Sequence, residues 1–264
     1  MARAKSFIQL RGSLGDTTFK KVGKNNFAHE KMSIAPGRMK NHRDFITLRE
    51  NGSQMGNASK SAKTIRDALV NVIHLCKDSK MSNRFNAELR KVVRQDSSRG
   101  AVGIGRIARA ENMGILQGFD FNDKAKLRTT FNVSYNTAIN RDTGEVKLSI
   151  ASFKPASAIR APRFAKQFRI MAQVAEIDFD PAVYFNSKYK TINAQFLDFM
   201  PLDNRPTEPL SMSFKITTGN VNTIFLVLGV DFSDDENPMY ASRALIKEVN
   251  AGCIVGVDEG VTVP

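Results

Sequence analysis

Basic side chains are the residues of this sequence whose type and spacing most favour a chemical role. Ten lysines and arginines between residues 60 and 109 form the candidate set: Lys60, Lys63, Arg66, Arg84, Arg90, Lys91, Arg94, Arg99, Arg106 and Arg109. Clustered cations bind phosphate backbones because each contact releases condensed counterions. The set therefore predicts contact with the backbone of DNA or RNA, with little reading of bases. A row of solvated helix faces, or an interface for acidic loops of another subunit, is the alternative.

The net positive charge of the protein comes from the first half of the chain. The whole sequence has 39 Lys and Arg against 26 Asp and Glu, for a net charge of +13. Residues 1–118 contain 23 basic and 9 acidic residues, whereas residues 119–264 contain 16 and 17. An asymmetry of this size indicates a nucleic acid, a membrane surface or an acidic protein as partner.

One acidic pattern has the spacing of a cation site. Glu176, Asp178 and Asp180 alternate along a predicted strand, so they share one face and present oxygen ligands of the kind that a hard cation requires. A solvated acidic edge, or a salt bridge to a basic neighbour, is the competing interpretation and the one we favour.

Catalytic and cofactor patterns have little support. The histidines lack the neighbouring Cys, Ser or carboxylate typical of a nucleophile with its base. The two cysteines, Cys76 and Cys253, are far apart and form no CxxC, which argues against a zinc knuckle and a disulfide framework and suits a reducing compartment. Residues 103–108 match a dinucleotide loop only loosely, without a preceding strand. We predict a non-enzymatic protein without cofactor or metal.

Two helices are expected to position the basic cluster. Apolar residues at three- and four-residue spacing predict helices at about residues 59–77 and 82–95, joined by a short turn into a hairpin with a basic exterior. A shorter helix is expected to begin near Asn41 and to end at Gly52. The glycine-rich residues 97–106 predict a mobile connector that leads to Arg109.

The rest of the chain has the patterning of β-structure. Short runs at residues 5–11, 17–22 and 26–32 predict a small meander whose apolar residues are too few to close a core. From residue 115 onward, seven or so predicted strands indicate an antiparallel sandwich that folds on its own, in which residues 223–230 form a strand buried on both faces. The expected class is α+β: an N-terminal β-arm (1–36), a basic helical region (37–114) and an antiparallel β-sandwich (115–264).

Two stretches of the sequence carry a resemblance to a known group. The opening FIQLRGSLGDTTFKK at residues 7–21, and residues 49–52 leading into the lysine-rich helix, resemble the start of uncharacterised proteins found in Bacteroidota genomes. The later strands are also similar, so the resemblance spans most of the chain. It implies a bacterial or phage-borne setting, and it carries over no activity or site residue.

Two classes of function remain. The first is a structural protein that self-assembles as a homo-oligomer through its N-terminal arm, such as a virion, tail-like or filament subunit, with its basic half facing nucleic acid or acidic neighbours. The alternative is a sequence-independent nucleic-acid-binding protein that does not assemble. A classical signal peptide and a membrane-spanning stretch are not expected. The predicted location is the cytoplasm or an assembled particle.

Overall fold

The protein combines helices with antiparallel sheets, which confirms the predicted α+β class. The computed structural model describes residues 2–3, 11–23, 25–31, 36–98, 105–179, 189–219, 221–234 and 249–260. The chain divides into two compact units, residues 1–49 and residues 50–264.

The first unit is a small antiparallel sheet followed by short helices. Its strands are β1 (Ala2–Arg3), β2 (Gly12–Leu14), β3 (Thr17–Val22) and β4 (Asn25–Glu30), in the order β1-β4-β3-β2, followed by α1 (Pro36–Asn41) and a 3₁₀ helix (Arg43–Phe45). The two longer strands agree with the predicted runs. Strand β2 lies between the first two predicted runs, and the turn that follows it includes Gly15, whose φ of 56° few other residues adopt. The predicted strand at residues 5–11 lies almost wholly outside the described residues.

The sheet of this unit lacks a core of its own. Among its described residues no side chain is buried, as the sparse apolar content predicts. The two phenylalanines point to opposite faces, since Phe19 pairs with Ala28 while Phe27 pairs with Lys20 in the adjacent register position. Neither face is therefore a continuous apolar surface.

Three longer helices supply one layer of the second unit. They are α2 (Ile46–Ala68), which begins in the first unit, α3 (Val70–Cys76) and α4 (Met81–Arg94), followed by a 3₁₀ helix (Ala110–Leu116). Helix α4 agrees with the prediction. The predicted end at Gly52 is wrong, because α2 continues for sixteen residues beyond it. Residues such as Ala58, Ala62 and Ile65 are fully buried on one face, and that packing outweighs the roughly 1 kcal/mol cost of a helical glycine.

A glutamine from a distant strand divides the helix that was predicted as continuous over residues 59–77. The amide N–H of Val72 donates to Oε1 of Gln173 at 3.3 Å, and Nε2 of Gln173 donates to the carbonyl of Ala68 at 3.2 Å. In a continuous helix, Val72 would bond to Ala68 directly. The buried Gln173 amide therefore inserts into this backbone bond and separates α2 from α3 at Leu69.

Two antiparallel sheets make up the rest of the second unit. The elements, in chain order, are α5 (Leu127–Thr130), β5 (Tyr135–Asn140), β6 (Glu145–Ile150), α6 (Pro155–Ala158), β7 (Gln167–Ile177), β8 (Tyr189–Thr191), β9 (Gln195–Phe196), β10 (Met200–Pro201), β11 (Leu210–Lys215), β12 (Thr223–Ser233) and β13 (Ala251–Asp258). Strand β12 lies between β7 and β13, while β8, β9 and β10 pair along the other edge of β7. The second sheet has the order β11-β6-β5.

The layers are helices, the larger sheet and the three-stranded sheet. Phe85 of α4 belongs to the same buried cluster as Phe225, which lies on one face of β12. Leu226, on the opposite face of β12, shares the second cluster with Leu148 of the smaller sheet. All of β12 is buried, which confirms the predicted strand covered on both faces. The two sheets form the predicted sandwich, and the helices add a third layer to it.

The helices share one core with the larger sheet, and the two sheets share a second core. Apolar patterning tells which residues are buried but not which element covers them, and here helices rather than strands cover one face of the larger sheet. The boundary predicted between residues 114 and 115 therefore falls inside a compact unit. Within the described ranges, none of the helices has the length and apolar character needed to span a bilayer.

Candidate polyanion-binding surface

Arg84 is held inside the protein by its neighbours. Its guanidinium forms an ion pair with Asp78 at 2.6 Å and donates to the carbonyl of Asp120 at 2.9 Å. It also lies 5.4 Å from the centre of the Phe119 ring. The side chain thus fastens the start of α4 to residues 120–121, and both of its terminal nitrogens are used in these contacts.

Arg109 is held in the same way by a buried carboxylate. Its Nε donates to Oδ1 of Asp96 at 2.8 Å, and the Asp96 side chain is fully buried. The amide N–H groups of Ser98 and Ile107 donate to the same carboxylate. Burial raises the pKa of Asp96, but the hydrogen bonds from Ser98, Ile107 and Arg109 outweigh it and bring the pKa below its ordinary value.

Lys91 and Lys60, two further cations of the predicted set, also have interactions within the protein. Lys91 forms an ion pair with Glu88 at 2.8 Å, one turn earlier on α4. Lys60 is exposed on α2 and takes part in an interaction of its own. Arg99 lies outside the described residues. These residues do not form a shared surface with Arg84 and Arg109.

The other five predicted cations lie on α2, on α4 and at the start of the segment that follows residue 105, and we call them the basic seam: Lys63, Arg66, Arg90, Arg94 and Arg106. Nη1 of Arg66 donates to Oδ1 of Asn86 at 3.3 Å, so the two helices lie side by side there. Arg90 and Arg94 follow Asn86 at four-residue intervals, and Lys63 precedes Arg66 by three residues, so each set continues along one helix face.

At the end of α4, the basic seam is bounded by the segment that begins at residue 105. The side chain of Asn57 on α2 donates to the carbonyl of Arg106 at 2.6 Å, and Nη1 of Arg106 approaches the carbonyl of Arg94 at 3.5 Å. The middle of α2 therefore lies near the end of α4, while Arg66, close to the end of α2, lies beside the first half of α4. The helices run antiparallel, as the sequence predicts, and the seam runs along both of them.

The charges of the seam are not neutralised by neighbouring acids. Within the described part of the chain, no carboxylate forms an ion pair with any of the five. Burial lowers the pKa of Arg66, although the charge of Asp67 opposes this. The Nε atoms of Arg90 and Arg106 are buried and have no hydrogen-bond partner among the described residues. Partly desolvated cations without a counter-charge gain the most from an incoming anion.

The seam was only partly visible in the sequence. All five cations belong to the predicted set. The helical spacing of the basic residues did not separate them from Arg84 and Arg109, because the carboxylate partners of those two lie outside the helices. Asn86, which fixes the two helices together, was not predicted. Asn86 lies one turn before Arg90 on the same helix, and this spacing could have placed it on the face that carries the cations.

Glu176 on β7 and Asp178 just after it both take part in interactions. Glu176 is buried, and its Oε1 accepts the amide N–H of Thr217 at 2.7 Å and lies 3.6 Å from Nζ of Lys190. This agrees with the salt-bridge interpretation. Asp180 falls outside the described residues, among which no group of three potential metal ligands occurs.

Neither cysteine has the properties of a nucleophile. Cys76 and Cys253 are buried free thiols, and burial raises the pKa of Cys253 to about 12 and that of Cys76 well above its ordinary value. The reactive species of a cysteine is the thiolate, so both residues are inert at neutral pH.

Comparison of the chain with protein-family models, with curated proteins and with solved structures finds no match.

The buried Asp96 leads to a prediction on acid stability. Against the effect of burial, hydrogen bonds also lower the pKa of Asp78 and of Asp258. All three carboxylates therefore stabilise the folded state above their ordinary pKa of 3.8, and this contribution is lost as the pH falls through their lowered values. We expect the urea midpoint to fall between about pH 5 and pH 3.

The variant Asp96→Asn isolates one carboxylate of this group. It is expected to have a lower urea midpoint at pH 7 and a shallower decline in acid, because the amide cannot titrate. The exposed Asp142→Asn is the control. An Asp96→Asn protein that declines as steeply as the parent would contradict the role given to this carboxylate.

Proposed function

We propose that the protein is a non-enzymatic structural subunit that assembles with copies of itself through its N-terminal arm, and whose basic seam faces the phosphate backbone of a nucleic acid. The observation that carries the proposal is a folded antiparallel sheet, β1 to β4, in which no described side chain is buried.

A sheet of this kind needs a covering surface. Its strands are two to six residues long, and small sheets without an apolar face packed on a core are marginal in water. Among the described strands β2 pairs only with β3, so its outer edge offers backbone groups to another strand. Every copy of the chain carries the same strands, so a second copy is always present wherever an arm is present. A second copy is therefore the simplest partner.

The basic seam supports the second half of the proposal. Five cations along two antiparallel helices, without carboxylate partners in the described part, match a linear array of phosphates better than a single small anion. The flanking residues Arg84 and Arg109 hold the backbone of α4 and of residues 105–109 in place. The surface is thereby preorganised, while the seam side chains stay available.

The alternative function is nucleic-acid binding without assembly. One observation favours it: the seam lies wholly within residues 50–264 and is built from contacts within that unit. Binding through the seam therefore does not depend on the arm.

Deletion of the arm tests the proposed assembly. The full chain is expected to form a particle that resists high salt, and removal of residues 1–31 is expected to lower its mass in sedimentation velocity to that of a single chain or a small oligomer. The deletion is expected to leave the circular dichroism of the remainder intact, because residues 50–264 form a separate compact unit.

The matched control keeps the strands and removes charge. Lys20→Gln, Lys21→Gln and Lys31→Gln together retain the sheet, so they are expected to retain the particle. If the deleted chain forms the same particle as the full chain, the arm is not the means of assembly. A full-length monomer that binds nucleic acid only at low salt would support the alternative function.

A further inference from the structure

Strand β5 is an open edge of the three-stranded sheet. All six of its residues pair with β6 in unbroken register, and no other described strand pairs with it. Asn136, Thr137 and Ala138 are exposed, whereas Tyr135 and Ile139 are half-buried and pack on the core between the sheets. The side chains of residues 135, 137 and 139 thus share the face that points to the core.

Within the described part of the chain, this edge lacks the features that keep exposed strands apart. Natural edge strands are usually protected by charged residues, proline, bulges or a covering segment. The sequence of β5, YNTAIN, has neither charge nor proline, and its register has no bulge. By contrast, the edge of β13 is covered by residues 118–121, whose backbone bonds to Gly252 and Ile254.

We propose that β5 pairs antiparallel with β5 of a second copy of this chain about a two-fold axis through Thr137, an inference that rests on the proposed self-assembly and names a second contact for it. The two three-stranded sheets then join into one sheet of six strands. This contact is isologous, because the same five residues, 135–139, contribute on both sides.

The strand is complementary to itself in this register. Thr137 lies opposite Thr137 of the second copy, and Tyr135 lies opposite Ile139 of the second copy at both ends. Threonine pairs and aromatic pairs with β-branched residues are among the favourable cross-strand pairs. The Tyr135–Ile139 contacts continue the apolar face that already packs on the core. No like charges meet, since the strand carries none.

A cysteine at the two-fold axis tests the contact in the full-length protein. Opposite residues of an antiparallel pair have Cα atoms roughly 4.5–5.5 Å apart, within the range that a disulfide spans. Thr137→Cys is expected to give a covalent dimer as the main species on a non-reducing gel after mild oxidation. Ser211→Cys, an exposed serine on the opposite edge strand of the same sheet, is the matched control and is expected to stay monomeric on that gel. The native cysteines are buried and do not compete.

A charge exchange tests the same register without a covalent bond. Thr137→Lys and Thr137→Glu, each alone, place like charges opposite each other and are expected to weaken the pairing by about fivefold. An equal mixture of the two variants is expected to restore it, because Lys then faces Glu. Restoration would not follow from a merely local loss of stability.

The results separate this contact from the arm. If Thr137→Cys gives no more dimer than Ser211→Cys while the arm deletion still disperses the particle, the β5 contact is wrong and assembly through the arm stands. If the cysteine dimer forms while the arm deletion leaves the mass unchanged, β5 is the interface and the arm is not. A full chain that is monomeric and does not cross-link overturns both.

Discussion

A chain that begins at Gly114 is expected to be unfolded or insoluble. It lacks helices α2, α3 and α4, which cover the face of the larger sheet that carries Met171, Phe225, Val227 and Ile254. These side chains are fully buried, and leaving each of them exposed costs roughly 1.5–3 kcal/mol. The sum over the four is comparable with the 5–15 kcal/mol by which a typical domain is stable. Far-ultraviolet circular dichroism and thermal melting measure the outcome.

The control for this truncation begins at Ile46, the first residue of α2, and retains the whole second unit. It is expected to melt cooperatively. A cooperative melt of the chain that begins at Gly114 would show instead that the two sheets are stable without the helices.

The same truncation illustrates how far the sequence predicts the fold. The alternation along β6 and the apolar run of β12 are local signals, and they identified strands that the structure contains. A strand buried on both faces requires two covering layers, but either a sheet or helices can supply the second. That choice depends on contacts between segments more than a hundred residues apart, which no local pattern encodes.

The helices show the same limit at the level of single residues. The break at Leu69 follows no local signal, because the group that causes it is the amide of Gln173, about a hundred residues away. The continuation through Gly52 likewise reflects tertiary packing that outweighs a local preference. In both places the sequence predicted a helix correctly, but it did not predict the break at Leu69 or the continuation beyond Gly52.

The same limit applies to the candidate site: the sequence predicts where the basic residues of the helices lie, but not which of them have carboxylate partners. Helical periodicity correctly placed the basic residues off the apolar stripe of α4. It could not separate Arg84 and Arg109 from the rest, since their partners lie in irregular segments that follow α3 and α4. A cation that already has a buried carboxylate contributes to stability, whereas one without a partner remains available to a ligand.

Replacement of Lys63, Arg90 and Arg94 by glutamine is expected to weaken binding to duplex DNA and to flatten its dependence on salt. Each phosphate contact contributes about 0.9 to the slope of log affinity against log salt, so the loss of three contacts lowers the slope by about 2.7. Sequence preference is expected to stay unchanged, because backbone contacts carry no sequence information. Fluorescence anisotropy titrations at several salt concentrations measure both quantities. Arg84 and Arg109 are left intact, since their loss would deprive Asp78 and Asp96 of partners and destabilise the fold.

The matched control removes the same charge from the opposite side of the second unit. Lys147→Gln, Lys154→Gln and Lys215→Gln alter exposed residues on or next to the three-stranded sheet, with the same change in net charge. Their slope is expected to remain within experimental error of the parent's. Equal losses from the two triple variants would show that binding follows net charge alone and that the seam is no site. A larger loss from the seam variant places the phosphate backbone along α2 and α4, where the cations without carboxylate partners in the described part lie.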